Sequence, residues 1–173
     1  FFILIRRPAF LLTLGLSLIL LAGGCSVKRL ALRKVGDALS QSTGGTFVSD
    51  NDPELIRDAL PFSLKLMESI LAETPDHIPL LTALSKGFTS YSFAYLQMEA
   101  DYIEAENLQQ ARAMRERARN LYLRARNYGL QGLEANRPGF TNLFFSSPEL
   151  ALATLKTSKE ENRNLVQWTL SPW

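Results

Sequence analysis

Two residues with reactive side chains occur once each, Cys25 and His77. A histidine-based triad would have to use His77, and no G-x-S-x-G elbow accompanies it. It stands in "TPDHIP" between Pro75 and Pro79, which reads as a turn histidine at a helix start. Metal sites built on histidine or cysteine need several such ligands, so one of each excludes them. The run "EADYIEAE" could offer carboxylates to calcium, but it lacks a D-x-D-x-D-G loop. Glu99, Asp101, Glu104 and Glu106 read instead as the solvated end of a helix. The expectation is a protein that is not an enzyme and has no cofactor.

Arg112, Arg115, Arg117 and Arg119 follow those acids closely. Each cluster has the wrong sign for its own helix dipole. In an antiparallel hairpin they pair across the turn and set its register; alternatively the charges form a docking surface. The stripe Phe88, Tyr91, Tyr95 either packs as core against Leu121 and Tyr122 or lines a groove. Tyrosine suits a half-wet groove, because an apolar ring adjoins a hydroxyl that needs a partner. Trp168 and Trp173 are either interface anchors or packing. The candidate partner- or ligand-binding residues are therefore Phe88, Tyr91, Tyr95, Arg112, Arg115, Arg119, Tyr122 and Trp168.

Cys25 has a different context. Arg6 and Arg7 precede an uncharged, Leu-rich run from Ala9 to Ala22, and Gly23-Gly24 leads into the cysteine. Charge, apolar run and small residues in that order make a secretory signal. The block resembles a bacterial lipoprotein signal, which implies lipidation at Cys25 after removal of residues 1–24. Ser26 is not the Asp that favours inner-membrane retention, so the expected location is the periplasmic face of the outer membrane. Lipidation would leave no thiol for a disulfide.

The 173 residues suit one domain. The net charge of +2 belongs to Arg6 and Arg7; the remainder carries 17 basic and 17 acidic residues. A neutral domain gives no reason to expect nucleic acid.

The elements expected to position these groups are all helices. Val27, Leu30, Ala31, Val35, Ala38 and Leu39 share one face of a first, basic helix; it is expected to pack on the domain with its basic face solvated, the alternative being that it lies near anionic headgroups. "STGGTFVSDND" reads as a loop. Asp52-Pro53-Glu54 opens a second helix, which Pro61 should kink or split. A third starts near His77 with the stripe Leu81, Leu84, Phe88, Tyr91, Tyr95 and Met98. Asn107 caps a fourth that runs to about Ala135. In it Ala111, Ala118, Ala125, Gly129 and Gly132 form a small-residue stripe suited to close approach by a neighbour. "FTNLFF" reads as a loop, followed by a short helix from Pro148 and another near Glu160–Leu170. The fold class is all-α, built from antiparallel helical hairpins.

"GCSVKRLALRKVGDALSQSTGGTFVSDNDPELIRDALPFSLKLMESIL", "GFTSYSFAYLQMEADYIE", "RARNLYLRARNYGLQGLE" with "RPGF", and "WTLSPW" together resemble the TatT family, the T-components of periplasmic TRAP transporters. The resemblance implies a degenerate tetratricopeptide-like array over residues 25–173. It also implies a tether through the lipid anchor, a TRAP-type substrate-binding protein as partner, and possible homo-oligomers. Family members continue beyond the tryptophan segment, so the domain is expected to be C-terminally truncated. Two other readings stand beside this one: a carrier of hydrophobic small molecules and a structural scaffold for envelope assembly.

Overall fold

The structure is a computed structural model that describes residues 27–41, 45–155 and 160–170. Cys25, the signal segment 1–24 and Trp173 lie outside the described residues. Helices α1 (27–41), α2 (Thr46–Ser49), α3 (Pro53–Glu73) and α4 (Ile78–Ser92) come first. A π turn, Phe93–Gln97, joins α4 to α5 (Met98–Ile103). Then come α6 (Leu108–Asn136), α7 (Phe140–Ser146), α8 (Pro148–Leu155) and α9 (Glu160–Leu170). Every regular element among the described residues is a helix, so the protein is all-α.

Local chemistry sets the boundaries. The Asp52 carboxylate accepts from the N–H groups of Glu54 and Leu55, and Pro53 fills the first helical position of α3. That helix continues through Pro61 without splitting, because the turns on either side bury Leu60, Leu64 and Met67. Asn107 caps α6 by accepting from the Gln110 N–H at 3.0 Å. Gly139 adopts a φ of 86°, a left-handed turn that only glycine enters cheaply, and it reverses the chain into α7.

Two expected loops contain helix. "FTNLFF" folds as α7, because Phe140 must bury against a second core with Leu133, Ala151, Leu155 and Leu165. The polar segment after α1 contains the single turn α2.

Contacts along α4 and α6 run in opposite order. A Cβ on Gly132 would touch Leu81, and one on Gly129 would touch Ser85. Phe88 stacks on Tyr128, Gln97 bonds Tyr122, and Asp101 and Glu104 meet Arg115. The pair is an antiparallel hairpin. Helix α9 packs beside the same glycines, with Thr169 at Gly129 and Leu165 at Gly132, again antiparallel. The small-residue stripe admits both neighbours, and all five of its residues are buried.

α1 packs by a different face from the expected one. Gly36 is buried where its Cα lies over Leu80, and Leu32 and Leu39 reach the core. Val27, Leu30 and Val35 remain 66%, 61% and 49% exposed. The reason is electrostatic as well as steric. Lys28 pairs with Glu73 at 3.0 Å, and Arg33 with Asp76 at 2.6 Å, which holds the polar side of α1 against the α3–α4 turn.

Candidate functional site

His77 has a structural position. Its Nδ1 accepts from the Leu80 N–H at 3.2 Å and caps α4. The ring proton therefore sits on Nε2, which faces the Arg33 carbonyl at 3.1 Å and Asp37 at 3.2 Å. At 3% exposure the ring has no face for a substrate.

The larger opening lies at the other end of the α4–α6 hairpin. The π turn creates it. An i→i+5 turn absorbs one extra residue, so the buried positions run Phe88, Ser92, Leu96 and Ala100, four residues apart rather than about 3.6. The anticipated stripe through Tyr95 and Met98 is displaced outward, leaving Met98 exposed. The shift brings Gln97 to α6, where its Oε1 accepts from the Tyr122 hydroxyl at 2.8 Å. Between the π turn, α5 and α6 remains a groove of about 540 Å³. Gln97 and Asp101 form one wall; Arg115, Arg119, Tyr122 and Arg126 form the other; Ala118 and Leu123 complete the lining.

The charges at this groove are unequally satisfied. Arg115 donates to Glu104 at 2.6 and 2.9 Å and to Asp101 at 2.8 Å. Its hydrogen bonds to Glu104 and then to Asp101 raise the guanidinium further above its ordinary value, and the bond from Arg115 holds Glu104 below the usual carboxylate range. The cross-turn register read from sequence is present. Arg119 is exposed and makes no hydrogen bond or ion pair among the described residues. Burial pushes the Tyr122 hydroxyl up, so it stays protonated as the donor to Gln97. With the Tyr122 proton committed to Gln97, the groove offers a free guanidinium beside an aromatic ring and a short apolar floor, a combination suited to a carboxylate with an apolar stem.

The other expected site residues are placed elsewhere. Phe88 and Tyr91 lie in the core and line neither this groove nor the smaller one beside α3. Arg124 stands 5.1 Å over the Phe88 ring, and Tyr128 stacks on it at 6.0 Å. Tyr95 donates to the Pro53 carbonyl at 3.0 Å and borders an opening of about 170 Å³ with Phe47, Ile56 and Leu60. Trp168 is half-buried on α9 with the Lys86 ammonium 5.7 Å from its ring. Arg112 is exposed and helps lower Glu104 without lining the groove. Of the eight candidates, Arg115, Arg119 and Tyr122 share one site. Gln97, Ala118, Leu123 and Arg126 were missed; Gln97 escaped because ordinary helical spacing was carried through the π turn.

Among the described residues no cluster of histidine, cysteine or carboxylates could hold a metal ion, and no helix is long and apolar enough to cross a membrane.

An uncharacterized protein of Treponema pallidum (strain Nichols) is 32% identical over 146 residues, covering 77% of this chain and 45% of that protein. The chain thus spans about half the length of the curated relative it matches. Residues 49–173, which include every element from α3 onward and the whole groove, match the family described as the TRAP transporter T-component. The chain belongs to the TRAP transporter T-component family, TAtT.

Proposed function

We propose that the chain is an accessory component of a TRAP-type transport system and docks the extracytoplasmic substrate-binding protein during uptake of small organic solutes. The observation that carries this reading, within the family, is Arg119 standing without a partner in an open groove. Arg119 receives a carboxylate at the rim of the partner. Arg115 holds the hairpin, since its charge is already met by Asp101 and Glu104. The fold serves as a tetratricopeptide-like array, and Cys25 carries the lipid that tethers it to the periplasmic face of the outer membrane once residues 1–24 are removed.

The test is surface plasmon resonance of the lipidated protein against the substrate-binding protein encoded with its transporter. Charge reversal at a rim costs roughly tenfold or more in affinity, so Arg119→Glu weakens binding by that factor while Arg117→Glu does not. No binding by the wild-type protein rejects the docking role. Native mass spectrometry showing a retained apolar molecule instead would favour the carrier.

A further inference from the structure

We infer that α1 lies on a lipid surface, with Val27, Leu30, Ala31, Val35 and Ala38 set into the boundary between headgroups and acyl chains. These residues occupy one face at helical spacing, and all five are exposed. The opposite face is already used: Gly36 and Leu32 pack on the domain, and Lys28, Arg29 and Arg33 pair with Glu73 and Asp76. An outward face on a water-exposed helix is normally polar; this one is apolar apart from Lys34, whose exposed side chain rises from within the stripe. An apolar stripe whose one long cationic side chain can reach up to the headgroups is able to partition into a membrane interface.

The chain upstream identifies the occupant. The apolar run Ala9–Ala22 and Cys25 end immediately before α1, with only Ser26 between the cysteine and the first described residue. At about 3.5 Å per residue, a lipid on Cys25 puts Val27 within roughly 7 Å of the headgroups. The inference rests on that anchoring, which belongs to the proposed function. It adds an orientation. Because ion pairs fasten α1 to the α3–α4 turn, the membrane would lie at that end of the α4–α6 hairpin. Arg119 faces the other end, 13 residues from Gly132, or about 20 Å along the helix. The groove is then held away from the lipid, where a soluble partner can reach it.

The experiment uses the full acylated chain in vesicles of phosphatidylethanolamine and phosphatidylglycerol. An environment-sensitive fluorophore is attached through Leu30→Cys, through Val35→Cys, or through Tyr102→Cys on the far side. Flotation and intact mass report anchoring separately. The expected result is flotation with blue-shifted emission at 30 and 35, quenched by brominated acyl chains, and water-like emission at 102. Flotation with water-like emission at 30 and 35 overturns the inference and leaves the anchor standing. Shielding at 30 without quenching by brominated lipid also overturns it, and shows that a second copy or another protein segment covers the stripe. If intact mass shows that the full chain carries no acyl group when made with its own signal segment, and it does not float, the anchor and the inference fall together.

Discussion

The two halves of α6 carry the same small-residue stripe and use it differently. In the C-terminal half, Gly129 and Gly132 let two helices approach, with Ser85 and Leu81 of α4 on one side and Thr169 and Leu165 of α9 on the other. In the N-terminal half, Ala111 and Ala118 are equally buried, but the arginines beside them face an open groove. Burial of a small stripe thus brings one neighbour. Whether a second neighbour arrives depends on the flanking residues, and Arg115 and Arg119 keep that side wet.

If the closed half supplies most of the stability, substitutions there should outweigh those at the groove. Leu81→Ala removes a fully buried side chain at the glycine contact and is expected to cost about 3 kcal/mol in urea unfolding. Glu68 is the next test. Its carboxylate meets Arg124 at 2.5 Å, Lys65 at 2.6 Å and the Tyr128 hydroxyl at 2.6 Å. Burial alone would raise this acid; the bonds from Lys65 and Tyr128 and the charges of Arg124 and Lys65 together hold it below its ordinary value. A depressed acid contributes stability that is fully present above the ordinary carboxylate pKa and is lost as pH falls through the folded-state value. Glu68→Gln should therefore cost about 2 kcal/mol at neutral pH and flatten that part of the acid-side stability curve.

Gly129→Ala sharpens the comparison. Alanine gains about 1 kcal/mol in helix propensity, but its Cβ would strike the Thr169 side chain, and overpacking costs about 1–3 kcal/mol. A net loss of about 1 kcal/mol is expected, and a higher melting temperature would show that α9 does not clamp the helix there. Arg115→Ala should move the melting temperature least of the four, because its partners are exposed and screened by water. A shift as large as that of Leu81→Ala would reverse the ranking of the two halves.

Much of the frame was legible because its signals are local. Asp52-Pro53 and Asn107 cap helices by contacts within three residues, and the stripe from Ala111 to Gly132 needs only helical spacing. The face of α1 was not legible, since two apolar stripes compete on it. The choice depends on Glu73, Asp76 and Leu80, more than 40 residues away. At the groove, opposite charges on either side of a turn predicted the Arg115 pairs. Gln97 escaped notice because uninterrupted α-helical spacing was carried through Phe93–Gln97.

That π turn has a consequence for length variation. It stores one residue more than a straight α-helix needs, and one residue corresponds to about 100° of rotation. Deleting a single residue between Phe93 and Gln97 would restore ordinary winding and leave α5 in phase with α4, so Asp101 and Glu104 would still meet Arg115. A deletion within α5 has no such slack: it turns everything beyond it by that angle and swings Glu104 off its partner. In this helix, tolerance of a change in residue count is confined to one turn.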